Sequence, residues 1–485
     1  MSPHPIAVDN GLSFDLGTRP MYQLIGGELV GGAGTIPVID PGTGMQIADA
    51  PVADRRQVDA AVAAARGALP RWSAASADER GATIMMIADA LDAHAEDLAR
   101  LTTLEQGKPL AQARDDIQWS IDFARYFADY RISREIVRDN PDNLVEVQRR
   151  PVGVVGAICP WNFPLFQAVY KMAPALAAGN TMVLKPSPTT PLATAYFAEL
   201  IADLVPAGVF NVVGDDGSVG PLLVDHFGVD KISFTGSTVT GRKVMSGCGP
   251  SLKRLTLELG GNDAAVVLDD VDIATAAKGL FTWAFANSGQ VCVSIKRIYA
   301  PESIYDPLCD EIARLAREMQ VGHGLIEGTD LGPVQNEAQY DHCARYLQLA
   351  AQHGNVIAGG MLLDEPGYYV APTVVRDIKD DNPLVREETF GPVRSIMSYK
   401  TVDEALERAN DTPYGLGSSL WSSDIDRAAA LAPRLEAGTT WINHHFALTP
   451  DVPFGGIKQS GLGVEFGRAG FEEFTEPHVV NIRRG

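Results

Sequence analysis

Cysteine is scarce in this chain: five residues in 485, odd in number, with no CxxC pair and no Cys/His ligand spacing. That excludes a disulfide framework and leaves no zinc site, or other metal centre, to look for. Positive charge is also short. Forty lysines and arginines stand against 61 aspartates and glutamates, a net charge of −21. Nucleic acid and anionic membrane surfaces are therefore poor partners, because phosphate is repelled over most of such a surface. No run approaches the ~18 uninterrupted apolar residues of a membrane span; the patches at 60–65 and 172–178 are short and follow Asp59 and Lys171. The first twenty residues lack both a basic start and an apolar run, so they do not read as a signal peptide. A reducing, cytoplasmic setting is the simplest expectation. Internal repeats and low-complexity tracts are missing as well.

What is present is ordinary globular composition, 46% apolar and 21% charged, on a chain long enough for two or three domains. A glycine-rich stretch at 23–39 reads as a short hairpin region. Helical patterns follow at 57–69, from the capping box Ser76-Ala-Asp-Glu79 through Ile84, Ile87, Leu91 and Leu98, and at 110–127. Residues 131–150 are polar, contain Asn140-Pro141-Asp142-Asn143 and end in LVEV, which reads as a protruding two-stranded excursion. From Pro151 strands alternate with helices: strands at 153–159, 180–185, 209–213, 231–235 and 255–259, helices at 166–178, 191–204, 218–226 and from Thr238. That alternation means parallel strands with crossover helices, a doubly wound α/β unit. A second α/β texture fills 263–455, with helices near 273–286, 305–319, 336–352, 402–409 and 425–435; the tail at 472–484 is strand-like.

The strand at 231–235 runs into Gly236-Ser-Thr-Val-Thr-Gly241 and a helix, the place where a doubly wound sheet offers backbone to a phosphate. Two familiar templates fail there. The glycines are five apart, so the segment is not GxGxxG, and Arg242 stands where a P-loop needs lysine. Gly461-Leu-Gly463 follows a loop and reads as chance. Taken alone, a Gly-Ser-Thr turn is more often a tight connection than a cofactor site.

Six segments in order change that balance: PWNFP at 160–164, FTGSTVTG at 234–241, LELGGN at 257–262, SGQVC at 288–292, EETFGPV at 387–393 and PFGGIKQSGLG at 453–463. In this order and spacing the chain resembles the aldehyde dehydrogenase superfamily over essentially its whole length. The resemblance implies two doubly wound α/β domains plus a small β oligomerisation element. Residues 1–130 and 151–257 would bind the dinucleotide, 258–459 would form the catalytic domain, and 131–150 with 460–485 the oligomerisation element.

It also implies roles. Oxidising an aldehyde needs a hydride to leave a tetrahedral carbon, and a thiolate adding to the carbonyl creates one. Cys292 matches the nucleophile; the other four cysteines read as small buried hydrophobes. The oxyanion needs donors set in advance, and Asn162 with the backbone N–H of Cys292 match them. The thioester then needs a base to activate water, and Glu258 matches it. A glutamate inside LTLELGG is costly to bury without a purpose. Lys171 and Glu465 match a proton relay around that glutamate, or form a structural ion pair.

Cofactor contacts carry over to Trp161, Lys185, Ser187, Gly236, Ser237, Thr238, Gly241, Leu259, Glu388 and Phe390. One departure matters. NAD-preferring relatives commonly carry a glutamate three residues after the lysine, and here that position is Pro188, which neither accepts a bond from the 2′-hydroxyl nor repels a 2′-phosphate. NAD and NADP both stay open. The substrate pocket should involve Phe163, Tyr170, Val291, Val293 and the loop at 443–454, with His445 and Phe454 in it. Ala286 stands where relatives often have an aromatic residue, which implies a wider tunnel. No arginine occupies these positions, so a neutral aliphatic or aromatic aldehyde is the expected substrate. Unpaired strand edges tend to be covered, which points to a homodimer or homotetramer. A CoA-acylating enzyme generally lacks the glutamate matched by Glu258, and a silent binding or structural protein on this fold would have lost Cys292, Glu258 or Asn162.

Overall fold

Residues 10–484 are described by a computed structural model of the chain. Five strands, β1 (Val154–Ile158), β2 (Thr181–Lys185), β3 (Phe210–Val212), β4 (Lys231–Thr235) and β5 (Arg254–Glu258), run parallel in the spatial order β5-β4-β1-β2-β3. Every residue of β1 to β4 is buried. With helices on both faces, such strands need no alternation, so VVGAI, TMVLK and KISFT read as continuous runs. The chain leaves β1 toward β2 on one side and later returns to β4 on the other. The C-terminal ends of β1 and β4 therefore open a crevice between them, where doubly wound sheets hold ligands. Antiparallel strands close both edges: Gln23–Ile25 against β3, and Gly461–Leu462 against β5.

A second sheet is built from β6 (Asp263–Val267), β7 (Ile295–Pro301), β8 (Thr373–Arg376), β9 (Val393–Tyr399), β10 (Gly417–Trp421) and β11 (Thr439–Ile442), all parallel, in the order β8-β9-β7-β6-β10-β11. The link between the sheets is only Leu259–Asn262, so Glu258 ends one sheet just before Asp263 begins the other. One apolar core joins residues from both sides of this link, including Phe163, Val291, Val293 and Trp441.

Four helices position the site: α1 (Leu110–Asp129), α2 (Pro164–Ala177), α3 (Thr238–Cys248) and α4 (Ile273–Phe285). Helix α2 is buried all round, and Pro164 at its first position suits a helix start because its missing N–H is not needed there. The Ser76/Glu79 capping box forms, Glu79 N–H donating to the Ser76 hydroxyl at 3.2 Å and Ser76 N–H to the Glu79 carboxylate at 2.7 Å. The helix it starts, Ala77–Ala93, ends at His94, and a separate helix runs from Ala95 to Gln106. Apolar spacing persists across His94, so pattern alone could not see the break. The excursion at 131–150 also differs from its reading. Glu135–Asp139 and Asn143–Pro151 are joined by Thr475–Arg483, which pairs residue for residue from Thr475↔Pro151 to Arg483↔Asn143, giving three strands.

Candidate active site

The largest cavity is a cleft of about 840 Å³ over the ends of β1, β2 and β4. Trp161, Asn162, Lys185, Ser187, Pro188, Gly236, Ser237, Leu259, Cys292, Glu388 and Phe390 all line it. A second cavity, about 300 Å³, is lined by Trp119, Phe163, Trp283, Ala286, Val291, Val293 and Phe446 among others. Two short segments feed both. Asn162 and Cys292 line the cleft, whereas their chain neighbours Phe163, Val291 and Val293 line the smaller cavity.

Cys292 stands in a turn just before β7, and the run before it is strained. Asn287, Ser288 and Gly289 have φ of 50°, 55° and 72°. For asparagine and serine such backbone costs about 1 kcal/mol or more each and persists only where surroundings over-determine it. They do so here. Asn287 Nδ2 donates to the Asn162 carbonyl at 3.0 Å, Ser288 Oγ to the Gly332 carbonyl at 2.7 Å, and Gln335 N–H to Gln290 Oε1 at 2.8 Å. Gly289 must be glycine, since a Cβ would collide with Arg394 and the Gly391 carbonyl. Arg394 is fully buried without a carboxylate partner. Its guanidinium donates instead to the carbonyls of Ala284, Gly289, Gly391 and Val393 and to the hydroxyls of Ser294 and Thr389. It thus ties the nucleophile turn to the loop carrying Glu388 and Phe390, and burial lowers its pKa to about 9.

Burial pushes the Cys292 thiol up to about 12, opposed by the Lys296 cation and reinforced by the Glu258, Glu388 and Asp263 carboxyls. Lys296 Nζ donates to the Val291 carbonyl at 2.9 Å, also to the Cys292 carbonyl, and lies 3.4 Å from Glu388. Neither Lys296 nor Arg394 was singled out in the sequence. Their signal, a cation four residues after the cysteine and one in the strand after FGPV, means nothing until the fold brings the loops together.

Asn162 is held from both ends. Nδ2 donates to the Gln290 carbonyl at 3.0 Å and Oδ1 accepts from Gln167 at 3.2 Å. An amide nitrogen carries two hydrogens, so one stays available beside the thiol. Glu258 ends β5, 3% exposed, and neither carboxyl oxygen has a well-formed hydrogen bond, although the Gly456 N–H lies near enough to oppose its upward shift. Burial, then the Glu465 charge, raise its pKa well above the carboxylate range. Glu465 itself is paired: Lys171 Nζ is 2.7 Å away and Ser233 Oγ donates to it at 3.2 Å. Glu258, Lys171 and Glu465 therefore form one buried electrostatic cluster, in which Glu258 is the member that acts on the Cys292 thiol.

Other sequence assignments land elsewhere. Thr238 and Gly241 do not line the cleft. Thr238 Oγ1 donates to the Gln459 carbonyl at 3.3 Å, and Gly241 leaves room for Leu259, which does line it. Three of the proposed pocket residues are not in the smaller cavity. Tyr170 points toward Thr235 and Gln167, with oxygens 3.3 and 3.2 Å away. His445 is fully buried, its Nε2 2.6 Å from the Val293 carbonyl and 3.3 Å from Asp263. Phe454 packs on Phe466 and pairs its backbone with Glu465. Within the 443–454 loop it is Phe446 that forms the aromatic wall, with a φ of 58° and ringed by Trp119, Phe163 and Trp283 with centroids 5.9, 5.9 and 5.4 Å away. Ala286 does line the cavity, beside these large rings.

The cleft also fits a dinucleotide on its own evidence. Cys292 is among its lining residues, it crosses the switch point of the sheet, and Gly260 in its lining is so close to Glu388 that a Cβ would strike the carboxylate. Ser237 caps α3, accepting from Thr240 N–H at 3.2 Å, and both residues line the cleft, so the helix start borders it where a phosphate is favoured. Among the described residues no group of His, Cys, Asp and Glu could hold a metal ion, and no helix is long and apolar enough to cross a membrane.

Comparison with known proteins places the chain. The model of the aldehyde dehydrogenase family matches residues 30–480. The phenylacetaldehyde dehydrogenase of Pseudomonas fluorescens is 39% identical over 483 residues, covering 96% of each chain. Among solved structures, an NAD+ complex of an aldehyde dehydrogenase from Bacillus cereus superposes with a TM-score of 0.94 at 36% identity, covering 96% of this chain and 97% of that one. An NADP-dependent enzyme of Escherichia coli gives 0.93 at 36% identity, covering 96% and 98%.

Proposed function

The chain belongs to the aldehyde dehydrogenase family, and from that premise we propose that it oxidises an aldehyde to a carboxylic acid through an acyl thioester on Cys292, with NAD(P)+ as oxidant and water as the final acceptor. The observation carrying this reading is that Cys292 and Asn162 line the same cleft, the Asn162 amide tied to the Gln290 carbonyl two residues before the cysteine, with the Glu258 carboxyl close enough to shift the thiol.

The steps follow from the groups. Cys292 Sγ gives its proton to water in the open cleft and bonds to the carbonyl carbon; the π pair moves to oxygen, where Asn162 Nδ2 and the Cys292 N–H donate to it. A nicotinamide held by Glu388 and Phe390 would supply the hydride acceptor. The hydride leaves carbon with its electron pair, the C=O re-forms, and a thioester remains. Glu258 then takes a proton from water as its oxygen bonds to the acyl carbon, and the carbon–sulfur bond breaks to release acid and thiolate. Lys185, Ser187, Gly236 and Ser237 would hold the adenosine and phosphate half, Leu259, Glu388, Trp161 and Phe390 the other half. Lys171 and Glu465 pass on or stabilise the proton that Glu258 collects.

The substrate enters by the smaller cavity. Its lining includes Asp115, Asp116 and Asp330 and no lysine or arginine, which disfavours an aldehyde bearing a carboxylate and supports a neutral aliphatic or aromatic one. The three-stranded sheet of 135–151 and 475–483 exposes Ile136, Val137, Val479 and Ile482, which supports a homodimer or homotetramer formed through the 131–150 and 460–485 element. Five unpaired cysteines suit a reducing cytoplasm. The test is absorbance gain at the reduced-nicotinamide band with a panel of aldehydes and both cofactors, without CoA. Turnover lost in Cys292→Ala supports the reading; turnover that needs CoA, or survives in Cys292→Ala, refutes it.

A further inference from the structure

Pro188 removes the acceptor that the sequence would need after Lys185, yet the cleft contains another carboxylate at that end. Lys185 closes β2, and Asp215 stands in the loop that follows the neighbouring parallel strand β3, so their strand ends are adjacent. Lys185 Nζ lies 2.7 Å from Asp215 Oδ2, with side chains 7% and 3% exposed, and both residues line the cleft. The other oxygen is fixed: Oδ1 accepts from the N–H groups of Gly217 at 2.7 Å and Val219 at 2.8 Å. One carboxylate oxygen is thus consumed by the backbone, and the other is held beside the lysine.

Resting on the reading above, we propose that Asp215 is the acceptor for the 2′-hydroxyl of the adenosine ribose and that it selects NAD+ against NADP+. A hydroxyl can donate to Oδ2 while Lys185 keeps its contact, since a carboxylate oxygen accepts more than one hydrogen bond. A 2′-phosphate brings about −1.5 to −2 charges against a buried carboxylate that cannot turn away. Lys185 does not answer that charge, being neutralised by Asp215 already. The remaining charged residues that line the cleft are Lys243, Asp225 and Glu388, with His342 held toward its neutral form by burial, so there is no surplus of cations to receive the phosphate. Selection is moved from the residue after the lysine to the next loop, which is why the linear motif left it open.

The test uses the full chain and measures binding, not turnover. Quenching of tryptophan fluorescence gives Kd for NAD+ and NADP+ with the wild type, Asp215→Asn, which keeps the Oδ1 acceptor and loses the charge, and Asp215→Glu, which keeps the charge. The wild type should bind NAD+ at least about tenfold more tightly than NADP+, as loss of a hydrogen bond to a charged group implies. Asp215→Asn should shrink that ratio about tenfold, chiefly by tightening NADP+, and Asp215→Glu should retain a preference for NAD+. A wild type that binds NADP+ as well as NAD+ overturns the proposal, whether or not the variants fold. So does an unchanged ratio in a folded Asp215→Asn. If the wild type binds neither dinucleotide, the dehydrogenase reading falls with it; if it binds NADP+ more tightly, only this proposal falls.

Discussion

Two cavities lie on either side of the Val291–Val293 segment, and they are made of different material. The 840 Å³ cleft is built from strand ends, glycines and a helix start, so backbone supplies most of its shape. The 300 Å³ cavity is built from side chains of four distant stretches, around Trp119, Phe163, Trp283 and Phe446. Backbone architecture leaves motifs, because a tight turn or close approach admits few residue types. A side-chain wall leaves none, since many large apolar residues fill the same volume. A contrast also separates the two carboxyls of the buried cluster. Glu465 is paired with Lys171 and Ser233, whereas Glu258 has no such partner and burial shifts it toward its neutral form.

The cleft side should break first and hardest. Cys292→Ala should abolish aldehyde oxidation to the assay floor while Kd for the dinucleotide, read by fluorescence, stays within a few-fold. Glu258→Gln should lower steady-state turnover by about 10²–10⁴. Asn162→Ala should cost about 10²–10³ in kcat with little change in thermal midpoint. Loss of dinucleotide binding in that variant would assign Asn162 to the wrong half of the site.

Protonation sharpens the contrast between the carboxyls. Burial raises the pKa of both the Cys292 thiol and Glu258, which disfavours the ionised form that each needs in order to act. Turnover should therefore climb from neutral into alkaline pH rather than level off above the ordinary carboxylate range. A pH profile already flat from pH 6 would contradict this. On the tunnel side effects should be smaller and selective. Phe446→Ala should change kcat/KM among aldehydes of different size by about 10–200-fold, the range of one altered apolar contact, with dinucleotide Kd unchanged.

How much was legible follows the same line. The parallel strands, the helix after PWNFP and the turn at Gly236 were visible because buried runs, Pro164 and glycine have few structural meanings. Lys185, Ser187, Glu388 and Phe390 were placed on the cleft by motif. Tyr170, His445 and Phe454 were placed in the pocket by motif and lie behind it. Adjacent residues can face opposite ways, and it is the positive φ of Phe446 that turns that ring into the cavity. Lys296, Arg394 and Asp215 could not be read from the chain, because each acts on a group that the fold alone brings near.

The division of labour between Cys292 and Glu258 is tested most directly by intact-protein mass spectrometry of Glu258→Gln mixed with an aldehyde that the wild type oxidises and with the dinucleotide that the wild type uses. The predicted result is an adduct equal to the aldehyde less two hydrogens, located on Cys292 and absent in the double variant with Cys292→Ala, alongside one equivalent of reduced cofactor. No adduct with wild-type turnover, or an adduct on another residue, would contradict the account.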